Sequence, residues 1–285
     1  MATAAPAREF VKFSVDPMTP RIGALIDDID LREEFSDETI AELRQALMTY
    51  KVIFFRDQDI TQADTVAFLK NFGELCTDPF AKASLEKVPD EFTVHDMQTY
   101  GNGQATALWH MDSTLGAEPA AFLTLRALEL PPSGGSDTCW GSMYAAYETL
   151  SQPVRDMIDG LEAEHSGYKT LPLLGLGYGE TLQQDMRNTH PVVRVHPETG
   201  RKALFVNELW TEKIVGVSSH ESQSILDMLW KHSQRPEFTM RWKWQVNDIV
   251  MWDNMAFQHY AVNDYEGSRV LQKGYVKGDR PVGPG

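Results

Sequence analysis

Three residues from two distant segments of this chain restrict its fold more than any other feature. His110 and Asp112 stand two apart in Leu108-Trp109-His110-Met111-Asp112-Ser113-Thr114. His259 lies in the distant stretch Met251-Trp252-Asp253-Asn254-Met255-Ala256-Phe257-Gln258-His259-Tyr260-Ala261-Val262. On an extended strand, residues i and i+2 project to one face, so the imidazole and carboxylate of the first segment reach a single metal ion. Two ligands do not close a site. His259 supplies the third, from a stretch that reads as a strand, a turn and the start of another strand. Such a two-histidine, one-carboxylate face leaves three positions of an octahedral iron open to reacting ligands.

The rest of the chain must supply a scaffold that brings these segments together. Phe10 to Val15 and Ala24 to Leu31 have the apolar content of strands, broken by Pro17, Pro20 and Gly23. Ser36 caps a helix whose Ile40, Leu43 and Leu47 form one stripe, with Thr39 where a capping box prefers Glu or Gln. Lys51 to Phe55 reads as a buried strand, and Thr61 to Phe72 as a helix with Val66, Phe68, Leu69 and Phe72 facing inward. Between Gly73 and Trp109 the chain is polar and interrupted by Pro79, Pro89, Gly101 and Gly103, which suits a lid or binding loop. Ala120 to Leu128 returns to strand character, Pro131 to Asp137 is a turn, and Tyr144 to Leu161 reads as two helices meeting near Pro153. The Gly/Leu-rich stretch Leu171 to Gly179 is expected to be mobile. Pro191 to Val195 and Ala203 to Asn207 flank the turn Pro197-Glu198-Thr199-Gly200 and form a hairpin. An amphipathic helix spans Ser218 to Trp230, and Phe238 to Trp244, Asp248 to Trp252 and Arg269 to Val276 complete the strands.

Many short strands with few helices and no alternating strand-helix units favour an antiparallel sandwich or barrel over a doubly wound sheet. The expected class is mainly β with flanking α-helices. No internal repeat, low-complexity tract or linker stands out in the 285 residues, so one domain spans 1–285 with its core between about residues 10 and 281. A formal charge of -15 without a Lys/Arg run argues against nucleic acid and against an anionic membrane surface. No run approaches the length of a membrane span, and Met1 to Arg8 lacks the apolar core of a signal peptide. Two cysteines, Cys76 and Cys139, give neither a disulfide framework nor a zinc motif. A cytoplasmic protein acting on a small molecule is the expectation, and assembly into a homo-oligomer is left open.

The segments around these ligands carry a resemblance. His110-x-Asp112, Gly134-Gly135-Ser136-Asp137-Thr138, His190-Pro191-Val192-Val193-Arg194, Leu204-Phe205-Val206-Asn207-Glu208, Arg241-Trp242-Lys243-Trp244-Gln245, Trp252-Asp253-Asn254 and Gln258-His259-Tyr260-Ala261 stand in family order. The chain resembles the taurine dioxygenase and 2,4-dichlorophenoxyacetate dioxygenase (TauD/TfdA) family of iron(II)- and 2-oxoglutarate-dependent oxygenases over roughly Phe10 to Pro281. The resemblance implies a double-stranded β-helix, or jelly-roll, core. It implies Fe(II) at His110, Asp112 and His259, dioxygen as oxidant, and 2-oxoglutarate as cosubstrate held by Thr138 and Arg269. A carboxylate in a water-poor pocket needs charge-assisted hydrogen bonds, and a guanidinium fork offers two.

Three positions depart from the taurine-cleaving pattern. Lys273 stands where that enzyme has a second arginine for the sulfonate, Asp78 where it has a histidine, and Met255 where the family usually has arginine, loosening the surroundings of His259. An acidic residue aimed at a sulfonate repels it, so taurine is not expected as the substrate. Arg269, Leu271 and Lys273 share a strand face, which brings Lys273 to the same cavity or into a pair with Asp78. Thr106 and Ser113 flank the metal strand and join Asp78 and Lys273 as candidate substrate contacts. Asp112 also bears on the outcome, because related halogenating enzymes lack this carboxylate, and chlorination is therefore not expected. Two rivals remain: a zinc hydrolase using the same three side chains, and a silent jelly-roll binding module. His95, His165, His190, His196, His220 and His232 read as structural or solvated, and Trp109, Trp242, Trp244 and Trp252 as packing.

Overall fold

The computed structural model describes residues 10–77, 94–102, 107–167 and 186–285. In chain order the strands are β1 (Ser14–Pro17), β2 (Ala24–Asp27), β3 (Val52–Phe55), β4 (Val94–Asn102), β5 (Phe122–Glu129), β6 (Thr138–Ser142), β7 (Glu162–Ser166) and β8 (Arg187–Pro191). They continue as β9 (Val193–Val195), β10 (Lys202–Leu204), β11 (Thr211–Ile214), β12 (Thr239–Trp242), β13 (Ile249–Asp253), β14 (Phe257–Ala261) and β15 (Glu266–Val276). The helices are α1 (Asp37–Tyr50), α2 (Gln62–Lys70), α3 (Met143–Glu148), α4 (Gln152–Ile158) and α5 (Ser219–Ser233).

A seven-stranded sheet runs β1-β2-β3-β13-β5-β15-β4 and faces a three-stranded sheet ordered β12-β6-β14. All these pairings are antiparallel except β2 with β3. The period of two decides which side chain enters which layer. Val52 and Phe54 of β3, with Val250 and Trp252 of β13, pack into the layer between the sheets, where the Phe54 ring lies 4.1 Å from that of Trp242. Ile53 and Phe55, with Ile249 and Met251, turn the other way onto Leu43 and Leu47 of α1 and Phe68 of α2. Both faces of the large sheet are therefore covered, which explains why β3 and β13 read as continuous apolar runs.

The helix starts follow their caps. Ser36 Oγ accepts from Thr39 N–H at 3.2 Å, while Thr61 with Asp64 and Ser218 with Glu221 close full capping boxes. Lys51, expected as the first residue of β3, is instead the left-handed C-cap of α1, with φ 70° and its N–H on Leu47 O. The hairpin around residues 197–200 forms as expected, with Val193 opposite Leu204. One expectation needs correction. The interval between Gly73 and Trp109 is not wholly irregular, since β4 pairs along β15 as the outermost strand of the large sheet. Its polar composition is that of a sheet edge, which conceals a strand from any reading that looks for buried apolar runs. The expectation for Leu171 to Gly179 falls outside the described residues.

Candidate active site

Backbone pairing brings the two histidines together. β14 lies against β6 with His259 opposite Trp140, and on its other side it forms an isolated bridge to His110. His110 N–H donates to His259 O at 2.9 Å, and His259 N–H donates back to His110 O at 2.7 Å. Their rings sit 4.1 Å apart.

Asp112 opens a turn that the sequence reading did not anticipate. Strand pairing ends at His110, and the chain turns over residues 112–115, with Ser113 at φ 56°. The carboxylate stands beside both rings at the start of that turn. Asn254, fully buried, locks that turn by accepting from Asp112 N–H at 3.1 Å and donating to Asp112 O and Ala120 O at 3.0 and 2.9 Å. Ser113 Oγ accepts from Ala120 N–H at 2.9 Å, so this hydroxyl is engaged in closing the turn. Asp112 Oδ1 then lies 3.7 Å from His110 Nε2, and Oδ2 lies 3.6 Å from His259 Nε2.

Those separations exceed a hydrogen bond, and the three candidate ligand atoms all fall within 4.8 Å of one another. This spacing and donor set suit one divalent ion. His110 Nδ1 sits 2.8 Å from Leu108 O, an acceptor only, so Nδ1 carries the proton and Nε2 keeps its lone pair for a metal. Burial drives the His259 imidazole well below its ordinary range, helped by His110 and opposed by Asp112, leaving it in the neutral form that ligates. Burial pushes Asp112 upward, yet the Lys273 ammonium in contact with it holds the carboxyl below the usual carboxylate range.

A second buried group sits on β15. Arg269 is 2% exposed and donates through Nη2 to Thr138 Oγ1 at 3.1 Å, while Trp244 Nε1 donates to the same oxygen at 3.0 Å. With its oxygen accepting twice, the Thr138 hydroxyl has its own proton free to donate. Among the described residues, Arg269 Nε has no hydrogen-bond partner and no carboxylate lies within ion-pair distance of the guanidinium. Burial pulls its pKa down to about 10. A buried cation lacking a counter-ion, beside a hydroxyl ready to donate, suits the far carboxylate of a keto-diacid.

The chain matches the family model described as "Taurine catabolism dioxygenase TauD, TfdA family" over residues 14–275. It belongs to that family. It is an α-ketoglutarate-dependent dioxygenase, an oxidoreductase working with ferrous iron, 2-oxoglutarate and dioxygen. An alpha-ketoglutarate-dependent sulfate ester dioxygenase of Pseudomonas putida is 36% identical across 99% of this chain and 95% of its own. The alpha-ketoglutarate-dependent 2,4-dichlorophenoxyacetate dioxygenase of Cupriavidus pinatubonensis is 32% identical, covering 94% and 98%. Among solved structures, a taurine dioxygenase from Burkholderia xenovorans superposes with a TM-score of 0.81 at 33% identity, covering 96% of this chain and 92% of that one. AAD-2 in complex with Mn(II) and N-oxalylglycine superposes with a TM-score of 0.80 at 28% identity, covering 95% and 99%. The jelly-roll class read from the sequence agrees with these relatives of the dioxygenase. Neither a hydrolase nor a silent binding module draws support from them.

The remaining sequence candidates divide. Lys273 reaches the site, but its described partner is Asp112, with Nζ 2.7 Å from Oδ2. Asp78 and Thr106 lie outside the described residues. Met255 packs in the layer between the large sheet and the helices, and Trp252 sits 5.0 Å from the His259 ring. His165, His190, His196 and His232 are hydrogen-bonded within the fold. Two residues escaped the sequence reading as functional: Asn254, visible only as part of a motif, and Trp244, read as packing although its N–H serves Thr138. Buried polar residues flanking a ligand strand were the available signal.

Proposed function

We propose that His110, Asp112 and His259 hold the ferrous ion, that Thr138 and Arg269 hold the far carboxylate of 2-oxoglutarate, and that the substrate is a small organic anion other than taurine. The observation carrying this reading is Arg269, a buried guanidinium with no counter-ion among the described residues, on the strand that also bears Lys273 beside the three-donor cluster. Bound iron supplies dioxygen activation, with 2-oxoglutarate leaving as succinate and carbon dioxide while a C–H bond of the substrate is oxidised.

The chain's own residues orient and exclude. Leu108 O fixes the His110 ring, Asn254 fixes the main chain of Asp112, and burial keeps His259 neutral. Arg269 and Thr138 align the keto-acid from one end, so that its other end meets the cluster. Asp112 would hold the place a halide needs beside the iron, which supports hydroxylation over halogenation. Relatives named for sulfate esters and for 2,4-dichlorophenoxyacetate support an anionic substrate, and Lys273 offers the matching cation. An acidic Asp78 disfavours taurine on charge grounds. Thiols at Cys76 and Cys139, with no disulfide, fit the cytoplasm as the working compartment.

The reading is tested by succinate release across alkyl sulfates, aryloxyacetates and taurine, with His259→Ala as blank. Turnover of at least one of the first two classes, none of taurine, and a weak visible band on anaerobic addition of Fe(II) and 2-oxoglutarate are expected. A band that persists in His259→Ala removes the ligand assignment.

A further inference from the structure

Lys273 is 7% exposed, and its ammonium touches the carboxylate of the three-donor cluster at 2.7 Å. It also lies 5.3 Å above the Tyr275 ring, and among the described residues no second carboxylate is within ion-pair distance of Nζ. A lysine is a compact point charge on a flexible stem, so it can exchange one anionic partner for another by rotating a few bonds. The same ammonium is the cation available to a substrate anion. It cannot fully neutralise both.

We propose that Lys273 couples metal affinity to substrate: its ammonium competes for Asp112, and an anionic substrate relieves that competition by taking the ammonium. The inference rests on the ligand set and the anionic substrate class proposed above. A divalent ion on Asp112 feels a unit positive charge a few ångströms away, a repulsion that lowers affinity even in a well-screened medium. An anion seated on Lys273 cancels much of it. Linkage makes the effect reciprocal, so metal strengthens anion binding by the same factor. Arg269, four residues earlier on β15 and engaged with Thr138, takes no part in this exchange.

The test is Mn(II) affinity, read by electron paramagnetic resonance of the free ion, with and without saturating hexyl sulfate. Hexyl sulfate is expected to tighten Mn(II) binding to the wild-type enzyme on the order of tenfold. Lys273→Met is expected to bind Mn(II) at the tightened level without the anion and to ignore it, whereas Lys273→Arg keeps the response. A wild-type affinity unmoved by hexyl sulfate overturns the proposal, whether or not the variants fold. So does a folded Lys273→Met that binds Mn(II) no more tightly than wild type. His259→Ala separates the two levels of inference: Mn(II) binding that survives in it removes the ligand set, while binding lost in it leaves only the coupling under test.

Discussion

Burying a guanidinium without a carboxylate beside it costs stability, and Arg269, with none among the described residues, carries that cost inside the fold. The cost makes sense only if a ligand returns it. Replacing Arg269 with Met should therefore leave the melting temperature of the ligand-free protein unchanged or raised, while KM for 2-oxoglutarate rises roughly 10- to 100-fold through lost charge-assisted bonds. Steady-state kinetics at saturating substrate, beside a thermal melt, checks both halves. Asn254 acts one step further back, by holding the main chain of Asp112. Asn254→Ala is expected to weaken Mn(II) binding about 10- to 100-fold, the usual range for residues that orient ligands. Affinity for 2-oxoglutarate analogues at the Arg269 end should change far less, and a titration that finds both equally damaged would mark the effect as general loosening.

β15 is the element on which the site depends most, since it bears Arg269 and Lys273 and lies between β5 and β4 in the large sheet. Its Gly274 sits where a Cβ would strike Leu69 of α2 and approach Thr124 Oγ1 and Val94 at 3.0 and 3.1 Å. Gly274→Val should thus destabilise by about 1–3 kcal/mol through overpacking, measured by denaturant unfolding, and disturb the Lys273 contact next to it. This element also marks how far the sequence could be read. The two-residue period through Arg269, Leu271 and Lys273 was legible, and so were β3 and β13, whose apolar runs advertise burial on both faces. β4 was not, because an edge strand with polar side chains has no periodic signature strong enough to stand out. The turn at Asp112 escaped for a related reason. Its left-handed Ser113 is held by Ala120 and the neighbouring Asp112 main chain by Asn254, both from elsewhere in the chain, and nothing local in Met111 to Thr114 announces it.

Across the molecule, two buried histidines connect stability to acidity. His165 faces Thr114 Oγ1 at 3.1 Å, and His190 Nε2 lies 2.9 Å from Thr114 O, so both brace the segment just after Asp112. Burial lowers the pKa of each, that of His165 well below 6.5. The unfolded chain then binds more protons than the folded one, and stability is full above the unfolded value near 6.5 and lost as pH falls below it. The slope approaches about 1.4 kcal/mol per pH unit for each histidine. Thermal melts between pH 7.5 and 5.5 should show a steady fall that is shallower in His165→Phe, and a flat profile across that window would refute the assignment. The ruler-like placement of Arg269 and Lys273 has a consequence for descent. If Arg269 anchors the cosubstrate and Lys273 meets the substrate, as proposed, a lineage could change its diet by rewriting the outer mark alone, with the oxidative engine inherited intact.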